Sequence, residues 1–485
     1  MSGMVGSNAG LRVSGSADGK TPWVRKRSRE QIEAVVDLLL ELASERDLVE
    51  DPMTERICLA ALSLDVDNPS AKKKLGRIRA AQGRVNEAKV LFQHAEEHLD
   101  LSVLLAAEGN YAVARETAVK ALDTNPAGAH SQLMAIASET GDLAAMELHA
   151  ETGLKFEPNH PILRQGRGVI RVGRGDRSGF KDLSYRQWHQ EIVAHMPKPE
   201  WKGDPLEHGT RLLIVGEEGI GDQIMYSRFI KPILGGKYGP GFPRVLLEPG
   251  QGLARLFRQS FPECAIATTV EELRAHGYDA WIATGTLPEL GMDFGMRAPY
   301  LNWPFPGDPQ RIVRNTGNLK VALCWAGKPE HLHDHFRSMP FGAFEPLWDI
   351  AGVDFYAFQF GEAAAENSWM PDLTRLCEDY ADSASMLENI DLVISVDTSL
   401  VHLAGALGKP CWVLPRSPID WRWGIPAERN DWYPSVRQFR NADIQKDVAP
   451  ALEQLVTERV NGVLNGELAK RWIAVPPLAE GRRRS

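Results

Sequence analysis

The hydrophobic pattern of the chain changes once, near residues 195–208, and the two sides of this change must fold differently. Residues 30–190 place apolar side chains at helical spacing between Gly turns and Asn-Pro or Glu-Pro pairs. The segment HMPKPEWKGDPLEH (195–208) is polar and Pro-rich, which is typical of a linker. Beyond it, short β-rich runs alternate with helical stretches, which favours parallel sheets with crossover helices. The pattern therefore predicts a helical region followed by an α/β region.

The helical region contains units that resemble one another. AAQGRVNEAKVLFQHAEEHLD (80–100), AAEGNYAVARETAVKALDTNP (106–126) and ASETGDLAAMELHAETGLKFEPNHP (137–161) each combine small residues, a Gly turn and an amphipathic helix. Gly83, Gly109, Gly141 and Gly175 recur at spacings of 26, 32 and 34 residues. A helix–turn–helix unit of about 34 residues resembles the tetratricopeptide repeat, which stacks into an α-solenoid. The alternative is a plain helical bundle in which the glycine spacing is accidental.

The α/β region divides at a Pro- and Gly-rich break, APYLNWPFPGDPQ (298–310). Its parts, of about 100 and 150 residues, each have the size of a Rossmann-like domain. The predicted strands lie in RLLIVG (211–216), RVLLEP (244–249), DAWIAT (279–284), KVALCWAG (320–327), DFYAFQF (354–360), DLVISVD (391–397) and PCWVLP (410–415). The predicted domains are a disordered tail (1–28), helical repeats (29–190), two Rossmann-like domains (205–310 and 311–462) and a basic tail (463–485).

Composition excludes several classes of protein. The sequence has no run of eighteen apolar residues and no apolar segment of a secretory signal, so we expect a cytoplasmic protein without a membrane-spanning segment. Five widely separated cysteines without a CxxC pair argue against a zinc ribbon or a disulfide framework. The net charge is −9, although both ends are basic, and an acidic body binds nucleic acid poorly. The basic ends are solvated tails or contacts for a membrane surface or an acidic partner.

The first candidate site is the loop GEEGIGD (216–222), between a predicted strand and a predicted helix. Gly219 and Gly221 allow a ligand to approach the backbone and expose amide groups at a helix start. The loop has neither Walker A nor GxGxxG spacing. Asp222 is either a helix cap or a general base that takes a proton from an acceptor hydroxyl. Glu217 and Glu218 are fallback bases or solvated loop acids.

The second candidate site is ISVDTSLVHLAGALGKP (394–410), where a buried strand gives way to a helix. Amide groups at the helix start, the hydroxyls of Thr398 and Ser399 and the imidazole of His402 suit a diphosphate. Asp397 could orient this loop or hold a sugar. The alternatives are N-capping by Thr398 or Ser399 and an ordinary buried histidine at 402.

A third cluster follows the strand near 320. WAGKPEHLHDHFRSMPF (325–341) contains three histidines at alternate positions, a weak metal signature, and the cations Lys328 and Arg337, which suit phosphate groups better. The Trp-rich DWRWGIPAERNDWYP (420–434) suggests either packing over a base or sugar or ordinary core packing.

Four motifs in this order resemble the glycosyltransferase family 9 group, the ADP-heptose:lipopolysaccharide heptosyltransferases. They are GEEGIGDQIMYSRF, WAGKP…RSMPF, ISVDTSLVHLAGALGKP and DWRW…WYP. Together with the helical repeats, they resemble bacterial tetratricopeptide-repeat proteins that end in such a domain. The resemblance implies a GT-B fold of two Rossmann-like domains facing across a cleft, and a metal-independent, inverting transfer of a sugar.

The resemblance also implies roles for individual residues. The proposed base of the family matches Asp222, and its donor diphosphate loop matches Asp397, Thr398, Ser399 and His402. The cationic residue before the first helix of the C-terminal domain matches Arg337, and a ribose-binding acid falls near Glu362. The sequence departs from the family at Lys328, where relatives often have Asn, and at Gln223 and Met225.

Three functions are consistent with these features. The first is a glycosyltransferase that uses a nucleotide-sugar donor and no metal cofactor, with the repeats holding a protein acceptor such as flagellin or another surface protein. The second is a glycosyltransferase of lipopolysaccharide or another surface glycan. The third is a repeat scaffold with a decayed transferase domain, against which the joint retention of Asp222, Asp397, Thr398 and His402 argues.

Overall fold

The computed structural model describes residues 29–44, 52–238, 244–250, 252–291, 299–302, 316–331, 334–415, 420–424 and 432–460. The predicted tails (1–28 and 463–485) and most of the break at 298–310 lie outside these ranges. The chain separates into two compact units, Met1–Lys120 and Ala121–Ser485.

The first unit consists of helices in its described part. They are α1 (Arg29–Ser44), α2 (Pro52–Leu64), α3 (Pro69–Ala81), α4 (Val85–His94), α5 (His98–Ala107) and α6 (Tyr111–Val119). Packing joins α1 to α2, α3 to α4 and α5 to α6. The turns inside the last two pairs contain Gly83 and Gly109 at φ of 74° and 78°, a left-handed conformation that glycine adopts without steric cost. The helix–glycine–helix pattern is confirmed at these turns, and its assignment to the tetratricopeptide repeat stays a prediction.

The second unit begins with five more helices. They are α7 (Pro126–Glu139), α8 (Leu143–Phe156), α9 (Pro161–Gly173), α10 (Phe180–Leu183) and α11 (Gln187–His195). The segment after α11 runs along the first sheet, where the Trp201 amide donates to the carbonyl of Trp281 at 2.7 Å. The predicted linker is therefore an ordered connection against a strand.

The first sheet is parallel throughout. Its strands are β1 (Arg211–Val215), β2 (Arg244–Glu248), β3 (Ala265–Ile266) and β4 (Ala280–Ala283), in the order β3-β2-β1-β4. Helices α12 (Ile220–Tyr226), α13 (Ile230–Leu234), α14 (Ala254–Ser260) and α15 (Val270–His276) connect them. All but the first residue of β1 are buried, as expected for a strand covered on both faces.

The second sheet is parallel as well. Its strands are β5 (Leu319–Cys324), β6 (Val353–Ala357), β7 (Leu392–Ser395), β8 (Cys411–Val413) and β9 (Val436–Gln438), in the order β6-β5-β7-β8-β9. Its helices are α16 (Tyr380–Glu388), α17 (Ser399–Ala406) and α18 (Ala449–Val460). The structure thus confirms a helical region followed by two Rossmann-like parallel sheets.

The strand orders place two loops where open α/β sheets bind ligands. The order reverses between β1 and β4 in the first sheet and between β5 and β7 in the second. Ligands of such sheets bind beyond the carboxyl ends of the strands at these reversals. The loop after β1 is the glycine-rich loop at 216–222, and the loops after β5 and β7 carry the second and third candidate clusters. All three predicted clusters therefore lie at positions that the topology favours.

Candidate functional site

The glycine-rich loop leaves β1 and enters α12 at Ile220. Gly219 stands at the N-cap position, and Asp222 lies inside the first turn of the helix. Asp222 is therefore not the cap, which was the structural alternative. Its side chain is 13% exposed, and Oδ1 accepts a hydrogen bond from Nε of Arg422 at 2.7 Å. A partly accessible carboxylate in this position is suited to take a proton from a bound hydroxyl.

The turn after β7 begins α17 without side-chain capping. Thr398 stands at the N-cap position, but its hydroxyl lies 3.1 Å from Oγ of Ser395 and does not cap the helix. The hydroxyl of Ser399 bonds with that of Tyr380 at 2.8 Å. The first-turn amides of an α-helix have no acceptor inside the helix and carry the positive end of its dipole. This turn can therefore bind phosphate oxygens through its backbone.

His402, one turn into α17, packs directly against α12. A Cβ atom placed on Gly221 would lie 2.7 Å from Cδ2 of His402, so the two helices approach at a point that leaves no room for a side chain. The ring is 4% exposed, its Nδ1 lies 2.9 Å from the hydroxyl of Tyr433, and it stacks on Trp423 with centroids 5.5 Å apart. Because Gly221 precedes Asp222, the structure brings the predicted base and the predicted imidazole into one place.

Burial determines the charge of this histidine. It lowers the pKa of His402 to about 4, so the ring is neutral near pH 7. A neutral imidazole has one N–H group and no net charge. If His402 contributes to anion binding, as the sequence predicts, it does so as a hydrogen-bond donor and not as a cation.

Arg422 joins carboxylates from both domains, a role that the sequence analysis missed. Besides Asp222, its guanidinium lies 3.5 Å from Oδ1 of Asp420 and 4.6 Å from the ring centroid of Trp421. Asp420 in turn shares a hydrogen bond with Asp397, the first of the predicted diphosphate-loop residues. Burial and the charge of Asp420 raise the pKa of Asp397 to about 7. The available signal was an arginine between two tryptophans in DWRW (420–423).

The tryptophans of this segment belong to the core. Trp421, Trp423 and Trp432 are 8%, 0% and 3% exposed and pack in the cluster that spans both sheets. Packing over a base or sugar, one of the two interpretations of the motif, therefore does not fit these three side chains. Residues 425–431 of the motif lie outside the described ranges.

The third cluster begins beside the turn at Thr398. Sγ of Cys324, at the end of β5, lies 3.8 Å from Oγ1 of Thr398. Farther along this loop, Nε of Arg337 donates to Asp334 at 2.8 Å, and the guanidinium also donates to the carbonyl of Lys328 at 3.2 Å. The side chain of Lys328 is exposed. Both predicted cations thus lie on a loop that starts next to the turn at Thr398, although Arg337 already has a carboxylate partner.

Gln359 holds the start of this loop in place. Its Oε1 accepts from the amides of Trp325 and Ala326 at 3.0 and 2.9 Å, and its Nε2 donates to the carbonyls of Ala326 and Phe360 at 2.9 and 2.8 Å. The side chain is buried, so these bonds are protected from water. No local motif singled it out.

The remaining predicted residues lie apart from this arrangement. Glu362 is exposed at the start of a short 3₁₀ helix after β6, and among the described residues no hydrogen bond or ion pair joins it to the other predicted site residues. His335 lies 3.8 Å from Glu139 of α7, His331 is exposed, and His333 lies outside the described ranges. Within those ranges no group of three or more His, Cys, Asp or Glu side chains is placed to hold a metal ion.

Arg228 fastens the two domains to each other behind the site. It is fully buried, and it donates to the carbonyl of Trp432 at 2.6 Å and to that of Met225 at 3.0 Å. Its guanidinium lies 4.8 to 5.1 Å from the ring centroids of Tyr300, Trp432 and Tyr433. The position of α12 relative to the second sheet is therefore fixed by a buried charge as well as by apolar packing.

Comparison with known proteins gives one sequence relative. No protein-family model matches the sequence. The chain is similar to Protein FlbA of Caulobacter vibrioides, at 30% identity over 275 residues. The match covers 50% of this chain and 45% of FlbA, so the chain spans less than half of that relative.

Three solved structures are similar to parts of the chain. Escherichia coli ADP-heptose LPS heptosyltransferase II has 17% identity and a TM-score of 0.34, with 53% of this chain and 98% of that chain covered. The family 9 glycosyl transferase of Veillonella parvula has 12% identity and a TM-score of 0.37, with 54% and 99% covered. The O-GlcNAc transferase of Thermobaculum terrenum has 13% identity and a TM-score of 0.30, with 92% and 96% covered. The Rossmann-like character of the two sheets rests on their own strand order.

Proposed function

We propose that the protein is a glycosyltransferase that moves a sugar from a nucleotide-sugar donor to an acceptor hydroxyl with inversion and without a metal ion. The observation that supports this most directly is the packing of α12 on α17. Gly221, the neighbour of Asp222 in the first domain, packs against His402 and Ser399 in the second, in the turn to which we assign the donor diphosphate. A base and a phosphate site on facing elements are the two parts that such a transfer requires.

In the proposed reaction, Asp222 takes the proton of the acceptor hydroxyl while the oxygen attacks C1 of the donor sugar. The bond from C1 to the diphosphate breaks, and the nucleoside diphosphate leaves with the bonding electrons. Arg422 holds Oδ1 of Asp222 at 2.7 Å, which orients the carboxylate and leaves Oδ2 to receive the proton. The acid–base step contributes about 10²–10⁴-fold to the rate of a typical enzyme.

The leaving diphosphate needs positive charge in place of a metal ion. The amides at the start of α17, the N–H of a neutral His402, and the cations Arg337, Lys328 and Arg422 would supply it. One well-placed donor typically stabilises a transition-state anion by about 3 kcal/mol, so several together are sufficient without a divalent cation. Asp397, whose pKa is raised to about 7, would carry less than a full negative charge next to the phosphates.

We assign the acceptor to the protein class, flagellin or another surface protein, bound with help of the helical repeats. Within the first unit, α5 and α6 border a cleft of about 350 Å³ whose walls include Leu101, Leu105 and Lys120. Its lining combines apolar side chains with Gln93, His98 and Thr117, and such a mixed surface fits side chains of a protein segment. All five cysteines are free thiols, which fits our assignment to the reducing cytoplasm, and no described helix is long and apolar enough to span a membrane.

The test is a donor screen followed by an acceptor screen. Purified full-length protein is melted with a panel of nucleotides and nucleotide sugars, because a ligand at a hundred times its Kd stabilises the fold by about 2.7 kcal/mol. The donor that shifts the melting temperature is then offered with candidate surface proteins and with lipopolysaccharide, and products are weighed by mass spectrometry. The proposal predicts a modified protein with wild type and about 10²–10⁴-fold slower modification with Asp222→Asn. A modified glycan would move the acceptor to the second class, and no shift with any nucleotide would overturn the enzymatic assignment.

A further inference from the structure

The last helices of the helical region are built into the second unit. Phe180, at the start of α10, is buried and packs edge-on against Trp421 and Trp432 with centroids 5.9 and 6.2 Å apart. It therefore belongs to the same apolar cluster as the residues around both sheets. This part of the helical region therefore packs directly against the domains that carry the site, in addition to being joined to them through the chain.

A buried aspartate ties α10 to α9. Asp182 is 2% exposed and accepts two hydrogen bonds of 2.7 Å from the guanidinium of Arg167 and one of 3.0 Å from Arg164. These two hydrogen bonds in parallel from one arginine fix orientation as well as distance. The four residues of α10 are thus held on α9 and on the tryptophan cluster at once.

Arg186, shortly after α10, contacts the glycine-rich loop with its side chain. This side chain is 8% exposed and forms ion pairs with Glu217 and, between Nε and Oε1 at 3.0 Å, with Glu218. It also donates to the hydroxyl of Thr286 at 3.3 Å. Glu217 is 5% exposed and accepts from the amide of Gly285 at 3.1 Å. The two acids that the sequence offered as fallback bases are therefore partners of one buried arginine.

The loop conformation needs such a support. Glu218 has φ of 64°, a left-handed conformation that is unfavourable for a residue with a side chain and persists only where neighbours hold it. Its ion-pair partner Arg186 and the preceding residue Glu217 are both buried. Asp222 follows about one helical turn later in the chain. Burial and the charge of Asp222 both raise the pKa of Glu218, which shows how near the two carboxylates lie.

We infer that Arg186 is a positioning residue: the last helical segment sets the conformation of the loop at 216–222 and thereby the place of Asp222. This inference rests on the proposed function for its consequence in catalysis, but not for its structural content. The helical region then contributes to turnover as well as to acceptor binding, and a fragment that begins after α11 lacks this support.

The experiment uses full-length protein and four variants: Arg186→Gln, Arg186→Lys, Glu217→Gln and the double variant Arg186→Gln/Glu217→Gln. Amide hydrogen exchange is measured over 216–222 and over α17, together with melting temperature, donor affinity and steady-state kinetics. Arg79→Gln is the matched control, because Arg79 is equally buried at 8% and pairs with Glu55 inside the first unit.

For Arg186→Gln we expect exchange in 216–222 to rise at least about tenfold while exchange in α17 stays unchanged. We expect kcat to fall by about 10²-fold, the effect of a displacement of about 1 Å, with donor affinity kept within about threefold. Arg186→Lys keeps the positive charge, so part of the protection of 216–222 and part of kcat should be retained. The double variant removes both members of the buried pair, so its melting temperature recovers while its kcat stays low.

Unchanged exchange in 216–222 for Arg186→Gln would overturn the inference whatever the activity. Recovery of kcat together with melting temperature in the double variant would also overturn it, because the pair would then serve stability alone. If wild type transfers no sugar from any donor, the proposed function fails, and the exchange data still decide the positioning role. Arg79→Gln should lower the melting temperature of the first unit and leave both kcat and loop exchange as in wild type.

Discussion

Gly221 leaves no space for a side chain where α12 meets α17, so Gly221→Ala tests whether this contact holds the site together. The new Cβ would lie 2.7 Å from Cδ2 of His402 and 3.4 Å from the Cα of Ser399, where ordinary contacts begin near 3.4 Å. To reach an ordinary contact distance, either the imidazole of His402 or the backbone at Gly221 must move by about 0.7 Å. The imidazole cannot yield easily, because Tyr433 holds Nδ1 at 2.9 Å and Trp423 stacks on its face. We therefore expect α12 to move, and Asp222 with it.

Two effects on stability oppose each other in this variant. Overpacking a filled contact typically costs about 1–3 kcal/mol. Replacing glycine by alanine within a helix returns about 0.5–1 kcal/mol. The net loss is therefore about 0–2.5 kcal/mol, which corresponds to a fall in melting temperature of up to about 3 °C in a unit as long as Ala121–Ser485. Because a displacement near 1 Å at a catalytic group costs about 10²-fold in rate, turnover should fall far more than stability does.

Gly219→Ala is the matched control, two residues away in the same loop. Gly219 has φ of −67°, which alanine adopts freely, and a Cβ there would contact only Oδ2 of Asp222 at 3.4 Å. Because glycine is favoured over alanine at an N-cap, its melting temperature should equal that of wild type or lie slightly below it. Scanning fluorimetry and sugar-transfer kinetics are measured on both variants. If Gly221→Ala melts like Gly219→Ala and turns over like wild type, the close approach of α12 and α17 is not what positions Asp222.

Other substitutions test the base, the buried histidine and the loop after β5. Asp222→Asn should lower turnover by about 10²–10⁴-fold with donor affinity unchanged in isothermal titration, and near-wild-type turnover would remove Asp222 from the mechanism. The pKa of His402, about 4, lies below its unfolded value of about 6.5, so the native state binds fewer protons and stability is lost as the pH falls through this window. Urea melts should therefore show a smaller acid-induced loss for His402→Gln than for wild type, by up to about 3 kcal/mol, whereas equal slopes would mean that the ring titrates normally. Gln359→Leu leaves the buried amides of Trp325 and Ala326 without their acceptor, so unfolding should become easier by about 2–4 kcal/mol, and an unchanged urea midpoint would contradict this.

Local pattern predicted the fold well where elements were long enough to show it. The seven predicted strands correspond to β1, β2, β4, β5, β6, β7 and β8, each within a few residues. The strands missed were β3 (Ala265–Ile266), which has only two residues, and β9 (Val436–Gln438), of which only Val436 is buried, so neither shows alternation or a buried run. Strand order could not be obtained in the same way, because pairing depends on contacts between segments far apart in the chain.

The candidate site shows the same limit. Asp222 and the 397–402 turn could be found because strand–turn–helix chemistry is local, as could the glycines that let helices approach. Arg422 could not be found in this way, because it pairs with a carboxylate that lies 200 residues earlier in the chain. Arg186 likewise acquires its role only when Glu217 is buried beside it. Local motifs identified the candidate side chains at the ends of loops. The arginines that pair with these carboxylates and orient them come close only in the folded chain.

The buried guanidinium of Arg228 has a mechanical consequence. It comes from the short helix after α12 and contacts the ring of Tyr300 in the first domain and the rings of Trp432 and Tyr433 in the second, and it donates to the carbonyl of Trp432. Separating the domains at this point would remove the second-domain partners of a buried charge. An opening between the domains that keeps these contacts would therefore pivot near Arg228. We expect the parts of the two domains that lie farthest from Arg228, where an acceptor would enter, to move the most, while the residues around Arg228 hardly move.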